Sequence, residues 1–557
     1  MNNGASIVGA SPVNELTLGA ATIGAHPQFP IAADASFDPA TGEQRGEVAH
    51  TPPTAVAAAL QRSVVASRMM AASSPSERRV WLSAVADQLV ANQDELVELA
   101  QQETALGEVR LRGELLKAAV SMRFYADVTV EGSYLGASLE VIDATATPAA
   151  TLARWNIALG PVAVFGASNF PFGFGLIGHD VASAISAGCP VVVKAHPAHP
   201  RLSVRLAELA QNALASAGAP LGSYELVVGF AAGIQIIDAV EITAVAFTGS
   251  QSGGMAILQR ASERGIPVFA EMGTVNPVVV TPRAASNMTT IAAGFVASFT
   301  LGVGQFCTKP GLLFAPAGRG FAEEVERQLS AVAAVPMLTA GIAQSYRRGI
   351  VQVREAANAG SDADQHSTHH STQDLGQAST QAEASLPGFA VEACVIRVRP
   401  EQLRAGSRLL EECFGPMALV CEYDDIEQVF AALTQLQPAL AASVFTGAPP
   451  VGSPDGTADS DPDSAELLRR MLPLVGRLAI NAWPTGVATS WSQQHGGPWP
   501  ATSRAEATSV GAGALNRFVR PVSLQNAAPA LLPLALHPDN PWGIPRRING
   551  TLTLPSR

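Results

Sequence analysis

The sequence predicts an α/β protein built on parallel sheet. Two observations lead there. From residue 161 onward, short apolar runs alternate with helix-period segments. Several of those runs end in a polar or reactive residue, and ligands gather at strand ends in open α/β sheets.

The elements follow in order. Residues 54–125 carry a helical pattern that is Ala- and Val-rich over 55–72. It restarts at Ser74-Pro75-Ser76-Glu77, where an early proline and an acid in the first turn mark a helix N-terminus. Residues 139–159 turn to Thr, Ala and alternating residues, which predicts a β-hairpin. The runs 161–165, 190–194, 224–228, 245–248 and 268–270 predict buried strands. A helix is expected from Pro171 to about Ala187, and another over 201–216. Two segments differ from the rest. Residues 358–386 are Ser/Thr/Gln/His/Asp-rich and residues 449–464 are Pro/Gly/Asp-rich, so both are expected as exposed insertions. His366, His369 and His370 fall in the first and are expected to be solvated rather than to hold a metal.

Composition bounds the function. Of 557 residues, 47% are hydrophobic and 15% charged, enough apolar content for a large core. A net charge of −12 and the lack of a basic stripe exclude non-specific nucleic-acid binding. The start, MNNGASIVGASP, lacks a basic segment followed by a long apolar one, and the longer apolar windows are broken by Gly, Thr or Pro. Neither a secretory signal nor a membrane span is expected. The five cysteines are scattered with no zinc-like spacing, so no metal site is expected and a reducing cytoplasm is the simplest compartment.

Five positions carry chemistry. Cys307 follows the glycine-rich run Gly302-Val303-Gly304-Gln305-Phe306, which lets backbone approach a ligand closely. Asn169 lies just after the 161–165 run, Lys194 ends 190–194, Gly249 and Ser250 follow 245–248 with Gly253-Gly254 beyond, and Glu271 follows 268–270. Each has a bland alternative: Cys307 as a buried small hydrophobe, Asn169 as a helix N-cap before Pro171, Lys194 as a solvated strand end, Glu271 as a turn cap. The glycines do not form a GxGxxG fingerprint. Together, a thiol, a carboxylate, an amide, a lysine and a glycine-rich strand–helix turn suit acyl transfer beside a nucleotide.

These residues stand in runs that resemble the aldehyde dehydrogenase superfamily: FGASNFPF (165–172), VVVKAHPAHP (191–200), AFTGSQSGG (246–254), AEMGTVNP (270–277), GQFCTKPG (304–311) and ECFGP (412–416). The resemblance spans residues 30–525. AEMGTVNP, GVGQFCT, NAWPTGV (481–487) and NRFVRPV (516–522) are most similar to an NADP-preferring branch that includes α-ketoglutaric semialdehyde and bacterial fatty-aldehyde dehydrogenases. It implies a catalytic Cys307, a general base in Glu271 and an oxyanion donor in Asn169. It implies cofactor contacts from Lys194, His196, Gly249, Ser250, Gly254, Glu412 and Phe414. Pro197 stands where NAD-preferring relatives place a glutamate, so NADP is the expected cofactor, with NAD admitted. Arg123, Phe124, Phe172, Phe306, Trp483 and Trp491 are expected to line the way to the thiol.

The resemblance also implies an architecture: a Rossmann-like cofactor domain (1–138 and 160–275), an α/β catalytic domain (276–480) and a small β oligomerisation element (139–159 and 505–522). Residues 524–557 form a C-terminal extension, expected on the surface or on a neighbouring subunit. A homodimer or homotetramer is implied, with 2,5-dioxopentanoate or a fatty aldehyde as substrate. A cysteine hydrolase or acyltransferase is the competing enzyme class. It needs a histidine base, and the motifs contain only His179, His196 and His199. A non-catalytic member of the fold is the third alternative, disfavoured because Cys307, Glu271 and Asn169 are all present.

Overall fold

The computed structural model describes residues 32–142, 149–359, 386–447 and 462–555. The three histidines of the first insertion, most of that insertion and residues 449–461 lie outside the described residues. Pro462, expected in the second insertion, begins the Pro462–Met471 helix instead.

Four helices, Pro53–Ala72, Pro75–Ala91, Gln93–Thr104 and Glu108–Glu131, account for the early helical pattern. Ser74 closes a capping box with Glu77, satisfying two orphan N–H groups at the start of the second. The helices pack on a parallel five-stranded sheet, in the order Tyr224–Val227, Val191–Lys194, Val162–Phe165, Ala244–Gly249 and Val268–Met272. Its central strands are apolar on both faces because helices cover both. Glu271 lies within the last strand rather than after it.

A second sheet of six parallel strands carries Cys394–Val398, Met417–Tyr423, Pro310–Pro316, Asn276–Val280, Ala439–Phe445 and Val475–Ile480. The apolar stretch Ala284–Gly304 is long enough to cross a membrane by composition alone. It instead buries Ile291, Ala292, Phe295, Val296 and Phe299 against this sheet, as a core helix does.

The third sheet contains the 139–159 hairpin as Ser138–Ile142 and Ala150–Ala158, paired antiparallel. The late strand is Val519–Gln525, which runs past residue 522 and pairs with Ala150–Ala158. The C-terminal extension joins the same sheet through Arg546–Ile548 and Thr551–Thr553.

The helix expected from Pro171 to Ala187 is broken. Pro171–Gly175 forms a wide π-type turn, and the α-helix begins only at His179. Close backbone packing is the reason. A Cβ on Gly178 would sit 2.2 Å from the Gly173 carbonyl oxygen, and Ala167 N–H donates to Phe174 O at 2.9 Å. This folded-back loop carries Asn169. Gly178→Ala should therefore cost about 1–3 kcal/mol, the usual range for overpacking. Urea denaturation checks this; an unchanged midpoint would contradict the packing argument.

Candidate functional site

The loop that carries Cys307 is held by buried amides. Asn276, fully buried, donates through Nδ2 to the carbonyls of Cys307 and Lys309, both at 2.9 Å, and accepts from Ala441 N–H at 3.1 Å. Gln305 Oε1 accepts from Leu338 N–H at 3.1 Å. Ahead of Cys307, Gly302, Val303 and Gly304 all take positive φ. For Val303 that is strained, and strain of this kind persists where surrounding contacts over-determine it. Gly304 leaves no choice of side chain, because a Cβ there would meet Gly415 backbone at 2.3 Å. The result presents a half-buried Cys307.

Asn169 reaches the same loop. Its Nδ2 donates to Gln305 O at 2.7 Å, and its own carbonyl accepts from Arg110 Nη2 at 2.6 Å. Its side chain caps no helix. An amide has two N–H groups, so one remains to face an oxyanion.

Glu271 is 4% exposed. Its Oε2 accepts a short hydrogen bond from Ser509 Oγ, and its Oε1 lies 2.9 Å from His495 Nε2. The same nitrogen is 3.7 Å from Cys307 Sγ. Glu271 therefore caps no turn. Burial pushes its carboxyl up, but His495, Ser509 and Cys307 more than offset this and hold it below the ordinary range. Burial and the charges of Glu271 and Glu412 push the Cys307 thiol well above its ordinary value, so it rests protonated.

His495 is the residue that the sequence reading missed. It is fully buried and held by Thr508 Oγ1, which accepts from its N–H at 2.8 Å. Of the histidines considered from sequence, His179 is buried against Tyr125 and held neutral, pushed down to about 3, and His199 is buried and pushed down to about 4. From the far end of the chain, His495 donates through Nε2–H to the Glu271 carboxylate. A His-Gly-Gly run at 495–497 is its only local signal.

A cavity of about 1090 Å³ opens in front of these groups. Asn169, His196, Pro197, Gly249, Ser250, Glu271, Cys307, Glu412 and Phe414 line it; Lys194 and Gly254 do not. Gly254 is buried, and a Cβ there would meet Met272 Sδ at 2.6 Å, so its work is packing. The Lys194 stem packs on Gly233, and burial lowers its ammonium. Ser250 caps the Gln251–Ser262 helix, accepting from Gly253 N–H at 3.2 Å. That helix N-terminus faces the cavity and suits a pyrophosphate. Glu412 lies over Gly273 on the same wall, and burial pushes its carboxyl up to about 7. His196 is held well below its ordinary value by burial, His199 and Lys194, hence neutral; its Nδ1 accepts from Ala198 N–H at 3.1 Å, which leaves Nε2–H as a donor. Cavity size, helix terminus and carboxylate together fit an NAD(P) cofactor.

The residues expected to line the approach divide. Arg123 pairs with Asp87 at the surface, and Phe172 is fully buried. Phe306 packs on Phe170, Trp483 on Phe295 and Phe445, and Phe124 on the half-exposed Trp491.

Known proteins agree with this arrangement. The model of the aldehyde dehydrogenase family matches residues 32–450. The chain is 39% identical to α-ketoglutaric semialdehyde dehydrogenase 2 of Azospirillum brasilense, over 85% of this chain and 87% of that one. It is 37% identical to α-ketoglutaric semialdehyde dehydrogenase of Acinetobacter baylyi, over 86% and 87%. Among solved structures, methylmalonate-semialdehyde dehydrogenase from Oceanimonas doudoroffii shares the fold with a TM-score of 0.72 at 19% identity, covering 89% of this chain and 95% of that one. A thiol, a carboxylate and an amide gathered at one end of a nucleotide cavity, in a chain this similar to these relatives, identify it as a member of the aldehyde dehydrogenase family.

Proposed function

We propose that this aldehyde dehydrogenase oxidises 2,5-dioxopentanoate (α-ketoglutaric semialdehyde) to 2-oxoglutarate, with NADP preferred over NAD. The observation that carries the substrate is the 37–39% identity, over most of both lengths, to two relatives named for that aldehyde. Absorbance at 340 nm with NADP or NAD and this substrate, set against a long-chain aldehyde, tests it. A preference for the long-chain aldehyde would overturn the substrate, and faster reduction of NAD would overturn the cofactor preference.

Cys307 attacks the aldehyde carbon. Its proton passes to the Glu271 carboxylate in contact with it and on to solvent, while His495 Nε2–H donates to that carboxylate. The spare Asn169 N–H and the Cys307 backbone N–H receive the developing oxyanion, each worth on the order of 10²–10³ in rate. A nicotinamide held in the cavity beside Cys307 would supply the hydride acceptor. The acyl group then rests on Cys307 as a thioester. Water attacks it, Glu271 takes the water's proton, and the acid and free thiol are released.

Cys307→Ala should abolish oxidation while cofactor binding by calorimetry persists. Glu271→Gln should slow deacylation by about 10²–10⁴ and leave a burst of reduced cofactor on mixing. His495→Gln should remove part of what holds the Glu271 carboxyl down, so the rate should be lost at a higher pH on acidification than in the wild type. An unmoved pH profile in that variant would mean that His495 does not keep the carboxylate ionised.

Glu412 supports a pH prediction. Its carboxyl titrates near 7, so the anion able to accept ribose hydroxyls is present above that pH and lost as pH falls through it. Affinity of the resting enzyme for NADP should fall below pH about 7, by at most about tenfold per unit. Glu412→Gln should flatten that dependence, as fluorescence titration would report.

The preference for NADP is supported by Pro197 on the cavity wall, where no carboxylate opposes a 2′-phosphate. Pro197→Glu should lower kcat/KM for NADP relative to NAD by at least about tenfold, through like-charge repulsion. An unchanged ratio would place the preference elsewhere.

A further inference from the structure

One helix reaches both of the loops that meet at the thiol. Arg110 and Glu114 stand one turn apart on the Glu108–Glu131 helix. Arg110 Nη2 donates to Asn169 O at 2.6 Å. Glu114 Oε1 accepts from Phe172 and Gly173 N–H at 2.9 and 3.0 Å. The turn that carries Asn169 is therefore held at its start by a guanidinium and farther on by a carboxylate.

Arg110 also touches the Cys307 loop. Its guanidinium lies 5.0 Å from the ring centres of both Phe170 and Phe306. Those two rings meet edge to face, with centres 4.8 Å apart. Phe170 directly follows Asn169 in the chain, and Phe306 directly precedes Cys307. Arg110 Nη1 is buried against Gly302, where a Cβ would run into that nitrogen and into the Phe306 ring. Gly302 also has positive φ, so glycine is required there on both counts. A planar guanidinium can rest on aromatic rings and donate a directed hydrogen bond at once, which a compact ammonium does less well. Arg110 does not line the cavity in front of Cys307, so its effect on the chemistry has to pass through the residues that it holds.

We propose that Arg110 is a positioning residue for the oxyanion donor: its guanidinium locks the Asn169 turn to the Cys307 loop and so holds the Asn169 amide beside the thiol. The proposal rests on the oxyanion role given to Asn169 above. One Asn169 N–H is committed to Gln305 O at 2.7 Å, on the same loop as Cys307. The spare N–H helps only where it faces the oxygen that becomes negative, and a misplacement of about 1 Å can cost about 10²-fold in rate. Arg110 adds a second tie between the same two segments, through the Asn169 carbonyl on one and Gly302 and Phe306 on the other.

The test is a double-mutant cycle on the full chain, read as the pre-steady-state rate of cofactor reduction with the better of the two aldehydes compared above. Asn169→Ala should slow that rate by about 10²–10³. Arg110→Met should slow it about 10- to 100-fold while cofactor affinity, by fluorescence titration, stays unchanged. In the Asn169→Ala background the same Arg110→Met change should cost less than about threefold, because the donor that it positions is gone. Arg110→Lys should keep part of the rate, and it completes the cycle if Arg110→Met does not fold. The full cost of the Arg110 change in the Asn169→Ala background, or a loss of cofactor affinity as large as the loss of rate, would mean that Arg110 supports the fold at large. An undiminished rate in the Arg110 variant would mean that it positions nothing. Each of these overturns the proposal alone, whereas an undiminished rate in Asn169→Ala would remove the oxyanion role and the proposal with it.

Discussion

A buried carboxylate that has to stay ionised beside a half-buried thiol is the constraint on which the rest of this structure depends. Burial alone would neutralise Glu271. Ser509 and His495 hold it ionised, and both sit on the segment that crosses from the six-stranded sheet to the Val519–Gln525 strand. Through these contacts the last strand of the cofactor sheet, the Cys307 loop and the C-terminal third of the chain are tied to one another. Asn276 makes the complementary tie, anchoring the nucleophile loop to the catalytic sheet at its own first strand.

The same accounting of buried charge separates the two sides of the site. On the cofactor side the fixed groups are a helix N-terminus, neutral His196 and a Glu412 that titrates near neutrality. That wall is poised for an anionic, hydroxyl-rich ligand. On the other side Arg110 and Lys117 flank the buried Glu114 on one helix face. Cys307 lies where the two surroundings meet, protonated at rest because burial and the negative charges of Glu271 and Glu412 disfavour the thiolate. Its activation therefore depends on the carboxylate in contact with the sulfur rather than on a neighbouring cation, which is a different solution from that of thiols lowered by lysine or a helix terminus.

Much of the site was legible because parallel α/β sheets deliver loop residues to one edge. Asn169, Glu271 and Cys307 could be read from their places after or within apolar runs. The errors were local ones. Pro171 signals a helix start, yet close packing around Gly178 delays the helix to His179. Gly254 looked like part of a phosphate loop, but its lack of a side chain serves Met272. Lys194 ends its strand as expected while its stem packs on Gly233 away from the cavity wall. In each case the residue type signalled a special role, and packing decided which.

By itself the sequence determined the α/β class and the alternation of strands and helices, and it singled out Cys307, Glu271 and Asn169, because periodicity, strand-end position and short ordered motifs are local properties of a chain. Only the tertiary structure decided that His495 and Ser509 meet Glu271, that Asn276 grips the Cys307 loop, and that the C-terminal strands extend the hairpin sheet. These contacts join residues far apart in the chain, and no local pattern encodes them. They form because each buried polar group must find a partner, and the fold alone determines which partner is within reach.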